Sequence, residues 1–463
     1  MSSSIPKFAD AETAAQLAGA LSDQYAIVAN PPYIYPPYDV YPLSKGTPAL
    51  EDGLLAAVMD MDGTTTTTEP CCIDALNMMV RRCCGRADDP AWPGLDQQRD
   101  YPHIIGNSTT KHVEYLVRAY GDRFLPEALR VHLVLGAAWT LARGKDPGRK
   151  RDLRNTLAAL GVAGLENDPA FLELMTTDDF YSAASITAAQ TVAEAHRDAF
   201  NCDGVSNLTR AGIEIYYQRY HEVLGWVAEG RGDAMAEQVL GPGGKRLIGP
   251  MPGVGVFLAL LKGWLGDEAA LFADTLAEPL RAAGMLGENE LPACRGRLER
   301  LGAYLAKHPA RVALVTSSIH YEADLVLTEV FRIVRAEIGQ WPVSDEKRAF
   351  LLEHFSSPHA YYDGFITATD SSEIRLKPHR DLYSMAMHEI GLYPEDFGKA
   401  VGFEDSESGT IAIRAAGIRV CCALPFHMTT GHHFAAATRV CPGGLPEVML
   451  KHGLFLRESL LDI

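Results

Sequence analysis

The sequence predicts an α/β protein in which a parallel sheet is interrupted by a large all-helical insertion. Short apolar runs end in polar side chains near residues 60, 316 and 404, and such runs suit strands buried on both faces of a parallel sheet. Between the first two runs, from residue 69 to residue 248, apolar residues recur at the spacing of amphipathic helices. This stretch therefore predicts a separate helical domain.

The first predicted strand ends in a pair of acidic residues. An apolar run over residues 54–59 is followed by Asp60, Met61, Asp62 and Gly63. Because side chains alternate along a strand, both carboxylates can point into one crevice, and open α/β sheets bind ligands at the carboxyl ends of their strands. One acid could attack a substrate while the other transfers protons. Alternatively, the two residues only shape a turn before Gly63.

Further polar motifs follow in a fixed order along the chain. They are Thr316-Ser317-Ser318 after the predicted strand Arg311–Val315, Lys377 before a predicted helix over residues 381–390, and Glu404-Asp405 after an apolar run over residues 399–403. If Glu404 and Asp405 lay near the first acidic pair, their negative charges would repel it strongly. A divalent cation such as Mg²⁺, which prefers oxygen ligands, would relieve that repulsion. The alternative for Glu404 and Asp405 is a solvated pair that caps the next helix.

In this order the motifs resemble those of the haloacid dehalogenase superfamily, and most closely the branch of β-phosphoglucomutase and small sugar-phosphate phosphatases. The stretch from Leu376 to Ala423 resembles that branch along its whole length. The Asp-x-Asp-Gly-Thr motif alone is a weak signal, whereas all the motifs in order at predicted strand ends are a strong one. The resemblance implies a Rossmann-like parallel-sheet core with a large all-helical cap inserted after the first motif.

The resemblance also implies a role for each motif residue. Asp60 would be the nucleophile that forms an aspartyl-phosphate, Asp62 the general acid and base, Thr316 a phosphoryl-binding hydroxyl and Lys377 a fixed positive charge. Mg²⁺ would be held by the Asp60 side chain, the Asp62 backbone carbonyl and Asp405, with Glu404 as an occasional or water-mediated ligand. Ser317 and Lys111 are candidate substrate contacts. Lys111 could equally be a solvated residue behind a helix N-cap.

The chain divides into parts on this interpretation. Residues 1–50 are an N-terminal extension with an extended Pro/Tyr-rich segment from Pro31 to Tyr38. We expect this segment to pack on its own core, and the alternative is that it binds a partner. Residues 51–68 together with 249–463 form the core, and residues 69–248 form the helical cap. The core carries a mostly helical insert at about residues 267–308, whose role the sequence does not indicate.

The amino-acid composition and charge argue against several classes of protein. The 463 residues carry a net charge of −17 with no compensating basic stripe, which argues against a nucleic-acid partner. No apolar run is long enough for a membrane span, and the N-terminus lacks the apolar segment of a signal peptide. The nine cysteines show no CxxC spacing, so we expect reduced thiols in the cytoplasm rather than disulfides or zinc. His427, His432 and His433 could bind zinc, although a polar loop at the site entrance is favoured.

The expected function is a Mg²⁺-dependent phosphatase that hydrolyses a small phosphorylated metabolite through an aspartyl-phosphate. A phosphomutase would use the same motifs. A 2-haloacid dehalogenase would need Asp60 but not Asp62 or a metal, and a catalytically silent binding protein would not need the motifs intact. Neither the phosphate ester nor the oligomeric state is set by the sequence.

Overall fold

The computed structural model describes residues 8–30, 34–243, 246–370, 375–429 and 431–462. The chain forms two compact units. The core unit comprises residues 1–66 and 250–463, and the helical unit comprises residues 67–249. The division of the sequence into extension, cap and core domains at the predicted boundaries remains a proposal.

The N-terminal part of the core unit is a helix followed by a hairpin. Helix α1 (Ala11–Leu21) begins after Asp10, whose side chain accepts a hydrogen bond from the Thr13 backbone N–H at 2.8 Å. Strands β1 (Tyr25–Ala29) and β2 (Tyr38–Pro42) pair antiparallel. Residues 31–33 of the predicted Pro/Tyr-rich segment lie outside the described residues. Residues 34–38 are exposed, so the expected packing of the segment on the core is wrong for the part that the structure describes.

The chain after this hairpin is hydrogen-bonded to the core unit. The Ser44 backbone N–H donates to the Arg414 carbonyl at 2.8 Å, and Leu50 N–H donates to the Phe455 carbonyl at 2.7 Å. The buried Arg414 guanidinium donates in turn to the Ser44 carbonyl and to the Gln24 side chain. Residues 44–50 are therefore held by the core unit.

The helical unit contains no strand among its described residues. Its α-helices are α2 (Glu69–Cys83), α3 (Tyr101–Ile104), α4 (Thr109–Tyr120), α5 (Pro126–Arg143), α6 (Pro147–Ala159), α7 (Pro169–Leu174), α8 (Ala183–Ala195), α9 (Gly204–Ala228) and α10 (Gly232–Leu240), with short 3-10 helices at Gly121–Arg123 and Leu165–Asn167. The long helix α9 packs against α2, α4 and α5. The all-helical insertion predicted from apolar spacing is confirmed.

Helix α9 carries buried charges that are paired within the helical unit. Glu214 accepts from Arg149 at 2.6 Å, and Arg219 donates to Asp74 at 2.9 Å. Buried charges are tolerated only when they are paired and hydrogen-bonded. These pairs therefore account for the buried charges of Glu214 and Arg219 on this helix.

The core unit contains the remaining helices and a parallel sheet. They are α11 (Val254–Leu261), α12 (Ala273–Ala282), α13 (Leu291–Lys307), α14 (His320–Ile338), α15 (Asp345–His354), α16 (Pro358–Tyr361), α17 (Asp381–Glu389), α18 (Glu407–Ala415), α19 (Gly444–Leu450) and α20 (Glu458–Leu461). Short 3-10 helices lie at Gly266–Phe272, Glu288–Glu290, Pro394–Lys399, His427–Thr429 and Gly453–Phe455. Residues 267–308 thus hold α12, α13 and 3-10 turns.

The sheet consists of parallel strands in the order β5-β4-β3-β6-β7-β8. The strands are β3 (Ala56–Asp60), β4 (Arg311–Val315), β5 (Gly364–Ile366), β6 (Ala400–Glu404), β7 (Val420–Ala423) and β8 (Arg439–Val440). Every residue of β3 and β6 is buried, as expected for central strands covered on both faces. The predicted α/β class with a parallel sheet is confirmed.

Strand register brings the predicted motifs to one edge. Asp60 is paired with Val315, so strands β3 and β4 end at the same level of the sheet. Strand β6 lies on the other side of β3, with Met59 paired to Phe403. The motif residues Thr316 and Glu404 therefore flank the end of β3.

In the part of the chain that the structure describes, no helix is long and apolar enough to cross a membrane.

Candidate active site

Asp60 is the last residue of the central strand β3 and is 4% exposed. Its backbone carbonyl accepts a hydrogen bond from the Thr65 hydroxyl at 2.7 Å. The chain turns sharply just beyond it at Gly63, whose φ of 77° favours glycine. This turn is closed by a hydrogen bond from the Gly63 N–H to the Thr66 carbonyl at 2.9 Å. The loop after Asp60 is therefore fixed by its own threonines.

Asp62 is held by two hydroxyl groups from the loop after β4. Thr316 Oγ1 and Ser318 Oγ each donate to Asp62 Oδ2 at 3.2 Å. Thr316 Oγ1 also accepts from the Ser318 backbone N–H at 3.0 Å. The second predicted motif thus orients the second acid of the first motif.

Lys377 lies between the ends of β3 and β6. Its ammonium group donates to Asp60 Oδ1, and also to Glu404 Oε1 at 2.6 Å. Lys377 is 7% exposed. A charge at this depth needs close partners of opposite sign, and the two carboxylates supply them.

Glu404 is fixed on both of its oxygens. Oε2 accepts from the Ser406 backbone N–H and hydroxyl, each at 2.8 Å, while Oε1 accepts from Lys377 and from the Tyr383 hydroxyl at 3.3 Å. Gly409 makes room for this arrangement, because a Cβ there would stand 1.8 Å from Glu404 Oε1. Glycine is thus the residue that fits at this position in α18.

The second acid of this motif, Asp405, is 2% exposed and lies beside the first motif. Its Oδ1 accepts from the Thr64 hydroxyl at 3.4 Å. Carboxylate oxygens of Asp60, Glu404 and Asp405 lie within 4.8 Å of one another. The structure therefore brings the acids of the first and last motifs together.

The pKa values of the buried groups reflect this crowding. Burial raises the pKa of Asp60 well above its usual range. The Glu404 carboxylate also raises this pKa, whereas Lys377 lowers it. Burial would also raise the pKa of Glu404, but Lys377 and the Ser406 hydrogen bonds hold it below its ordinary value. The pKa of Lys377 is raised, because the two carboxylates outweigh the effect of burial. A further cation near Asp60 would favour its ionised form.

No protein-family model and no curated protein matches the chain. Among solved structures, CbbY from Rhodobacter sphaeroides in complex with phosphate is 16% identical, with 87% of this chain and all of that chain covered at a TM-score of 0.39. β-Phosphoglucomutase from Clostridium difficile is 10% identical, covering 84% and 90% of the two chains at a TM-score of 0.32. A HAD family hydrolase from Deinococcus radiodurans with bound phosphate and sodium is 14% identical, covering 87% and 97% at 0.33.

These names are the ones that the resemblance stated from the sequence, to the phosphoglucomutase and phosphatase branch of the haloacid dehalogenase superfamily, leads us to expect. Because the identities are 10% to 16% and the TM-scores 0.32 to 0.39, the roles of individual residues rest on the geometry of this site.

The haloacid dehalogenase resemblance implies Mg²⁺, and the residues present fit that ion. The acids that converge within 4.8 Å offer only hard oxygen atoms, the donors that Mg²⁺ prefers. Glu404 already accepts hydrogen bonds on both oxygens, so the Asp60 and Asp405 side chains are the better candidates for direct ligands. The third predicted ligand is the Asp62 backbone carbonyl. The Asp62 side chain accepts hydrogen bonds from Thr316 and Ser318.

The remaining candidate site residues are not part of the acidic cluster. Ser317 lies in the loop after β4, between the two residues that hold Asp62. Lys111 lies in the first turn of α4 in the helical unit and is exposed. His432 Nδ1 accepts from the Glu407 backbone N–H at 3.2 Å, next to the start of α18. Substrate contacts by Ser317 and Lys111 remain predictions.

Sequence reasoning missed several residues that support the motifs. They are Thr64, Ser318, Tyr383, Ser406 and Gly409. Ser406 had a readable signal, since a serine before a helix commonly caps it, and here its hydroxyl accepts from the Gly409 N–H at 3.1 Å. Tyr383 had none, because its role depends on how α17 packs against the sheet.

Proposed function

We propose that this protein is a Mg²⁺-dependent phosphatase that hydrolyses a small phosphorylated metabolite through an aspartyl-phosphate at Asp60. The observation that carries the proposal is the contact of Lys377 with both Asp60 and Glu404, with Asp405 in the same cluster. Phosphate esters repel nucleophiles by their own charge, so a catalyst must neutralise that charge and hold the reacting groups in line. A buried lysine beside a buried carboxylate supplies both the neutralising charge and the nucleophile.

In the first half-reaction Asp60 attacks the phosphorus atom of the ester. Lys377 donates to Oδ1, so we assign Oδ2 as the attacking oxygen. The new Asp60 O–P bond forms as the bond from phosphorus to the leaving alkoxide breaks, and Asp62 gives its proton to that alkoxide. Thr316 and Ser318 fix the Asp62 carboxyl group for this transfer.

In the second half-reaction a water molecule replaces the carboxylate. Asp62 is now ionised and takes a proton from the water as its oxygen attacks phosphorus. The Asp60 O–P bond breaks, inorganic phosphate leaves, and both aspartates return to their starting forms. A covalent intermediate thus divides one difficult displacement into two easier ones.

Mg²⁺, held by Asp60, Asp405 and the Asp62 carbonyl, would neutralise charge on the transferring phosphoryl group. The protein's own contribution is to keep these ligands in place. Thr64 donates to Asp405, Thr65 donates to the Asp60 carbonyl, and Lys377 holds Asp60. These contacts fix the acids before a substrate arrives.

The test is a panel of phosphate esters, including sugar phosphates and sugar bisphosphates, assayed for phosphate release with Mg²⁺ and with a chelator. We expect release only with Mg²⁺, and loss of release in Asp60→Asn. Asp396→Asn is the matched control, since Asp396 lies in a 3-10 helix outside the site. Turnover that persists in the chelator or in Asp60→Asn would contradict the proposal.

The same panel separates hydrolysis from phosphoryl transfer within the substrate. Asp60, Asp62 and Lys377 would serve a phosphomutase equally well. Each reaction is therefore analysed for isomeric sugar phosphates as well as for inorganic phosphate. Isomer formation without phosphate release would replace the phosphatase by a mutase and would leave the assigned roles of these residues intact.

A further inference from the structure

A second group of ligand-type side chains lies in the core unit, outside the acidic cluster. It consists of Cys441, Glu447 and His452, each offering one ligand atom within 4.8 Å of the other two. Cys441 is 1% exposed and Glu447 is 9% exposed. The phosphatase chemistry proposed above uses none of the three. We refer to them as the Cys-Glu-His cluster.

The segment after β8 is built to hold this cluster. The Cys441 backbone N–H donates to the Ala423 carbonyl at 2.8 Å, which fixes the cysteine beside the end of β7. The Gly443 N–H donates to Glu447 Oε2 at 2.8 Å. A Cβ at Gly443 would lie 2.9 Å from the Glu447 Cβ and 2.3 Å from Leu280 Cδ2, so this close approach requires glycine. Glu447 Oε1 is left facing His452.

The distance between two of the ligand atoms suits a tetrahedral ion. Glu447 Oε1 and His452 Nε2 are 3.3 Å apart. Two ligand atoms that are each about 2.0 to 2.1 Å from a tetrahedral zinc ion would be separated by about 3.3 to 3.4 Å. Sulfur, imidazole nitrogen and carboxylate oxygen are also the three donor types that zinc accepts in proteins.

The Gly443 N–H that holds Glu447 Oε2 is an outer partner of one of these ligands. Outer partners of this kind are a regular part of zinc sites, where they orient the ligands.

We infer that Cys441, Glu447 and His452 bind a zinc-type transition-metal ion at a site distinct from the acidic cluster. The fourth position is then open to water or to the neighbouring Cys422 sulfur. The site differs in chemistry from the acidic cluster, which offers only oxygen atoms and suits Mg²⁺. The two sites should therefore select different metals, and the inference does not depend on the proposed phosphatase activity.

The inference differs from the expectation of reduced thiols rather than zinc. That expectation was based on the absence of CxxC spacing. Here the ligands come from the end of a strand, the middle of α19 and the turn after it, so no short motif marks them. Pairing with the end of β7 places Cys441 close to α19, the helix that carries Glu447.

The test uses cobalt as a spectroscopic substitute for zinc in the full-length protein. Cobalt bound to a thiolate gives a sulfur-to-metal charge-transfer absorption, which an all-oxygen site cannot give. The variants are Cys441→Ser and His452→Gln. The controls are Cys294→Ser, another buried thiol of the core unit, and Asp405→Asn, which alters the acidic cluster. Circular dichroism checks the folding of each variant.

We expect the wild type and both controls to bind one cobalt ion with the charge-transfer band, and zinc to displace it. Cys441→Ser should lose the band. His452→Gln should weaken zinc binding more than about 100-fold, because loss of an outer partner alone weakens binding about 10- to 100-fold. If the wild type shows no such band, or if Cys441→Ser retains it, the cluster is an ion pair and not a metal site. Unchanged zinc affinity in a folded His452→Gln would also overturn the inference.

Discussion

The ammonium group of Lys377 contacts Asp60 and Glu404, two carboxylates that end the neighbouring parallel strands β3 and β6. Glu404 is itself fixed by Ser406 and Tyr383. The position of Lys377 beside Asp60 therefore depends on Glu404, although we assign Glu404 no contact with substrate. Residues that support Glu404 should control activity from a distance.

Gly409→Ala tests this dependence. The new Cβ would stand 1.8 Å from Glu404 Oε1, and the hydrogen bonds to Glu404 leave its carboxylate little freedom to move. Displacing a catalytic group by about 1 Å can cost about 100-fold in rate, so we expect a loss of phosphate release of that order. Gly19→Ala is the matched control, because Gly19 is also helical and has nothing within 4 Å of its Cβ position. Full activity in Gly409→Ala would show that Glu404 does not position Lys377.

Lys377→Met should destabilise the protein as well as inactivate it. The substitution leaves Asp60 and Glu404 buried without their shared cation, and breaking a buried ion pair costs about 3 to 5 kcal/mol. The free energy of unfolding in urea, measured without divalent metal, gives the effect. Lys399→Met, at a partly exposed lysine 3.9 Å from Asp396, should change it by less than about 0.5 kcal/mol.

A double variant tests whether uncompensated buried charge causes the loss of stability in Lys377→Met. Adding Asp60→Asn to Lys377→Met removes one of the uncompensated charges and should restore part of the lost stability. If the double variant were less stable than Lys377→Met by the full effect of Asp60→Asn alone, the two residues would not be coupled.

Mg²⁺ should stabilise the folded protein through Asp60 and Asp405. A ligand that binds only the folded state adds about 2.7 kcal/mol at one hundred times its Kd. We expect the thermal midpoint of the wild type to rise with Mg²⁺ concentration, and the rise to be abolished in Asp405→Asn. Asp396→Asn should retain it. A Mg²⁺ response that survives in Asp405→Asn would place the ion elsewhere.

The hydroxyl groups that hold Asp62 should matter for turnover more than for folding. Thr316→Val combined with Ser318→Ala removes both hydrogen bonds to Asp62 Oδ2. We expect phosphate release to slow about 100-fold, the lower end of what a positioned acid and base contributes. Thr328→Val, at an exposed position of α14, is the control. Unchanged kcat in the double variant would show that Asp62 does not need these hydroxyl groups for proton transfer.

The strands of the site could be predicted because a buried parallel strand is almost uniformly apolar. The predicted second strand, Arg311–Val315, agrees with the structure at both ends. The apolar run over residues 54–59 begins two residues before β3 and ends one residue before it, since β3 covers Ala56–Asp60 and Asp60 is still paired in the sheet with Val315. Polar residues at strand ends look like loop residues in a sequence, even where the ladder continues through them.

Helix limits and supporting contacts were less accessible to sequence reasoning. The helix predicted over residues 381–390 begins at Asp381 and ends at Glu389, because apolar spacing does not mark where backbone hydrogen bonds change. The sequence predicts Glu404 as an occasional or water-mediated metal ligand, which stays a prediction, but it does not indicate that its oxygens accept hydrogen bonds from Lys377 and Ser406. That distinction depends on side-chain directions, which strand patterns do not encode.

Asp100 should make the stability of the helical unit sensitive to acid. Burial raises its pKa, but hydrogen bonds from Arg99 and the Tyr115 and Tyr120 hydroxyls outweigh burial and lower the pKa to about 2. Its ordinary value is 3.8. A carboxyl group with a depressed folded pKa contributes stability that is present above the unfolded value and is lost as pH falls through the folded one.

Asp100→Asn imitates the protonated state and gives the measurement. At pH 7 we expect the variant to be less stable by about 2 kcal/mol, the scale of hydrogen bonds to a charged group. The difference from wild type should shrink as pH falls from about 4 towards 2. Asp178→Asn, at a fully exposed carboxylate paired with Arg143, should show a difference below about 0.5 kcal/mol at any pH. A gap between Asp100→Asn and wild type that stayed constant over this range would mean that Asp100 is not ionised in the folded protein.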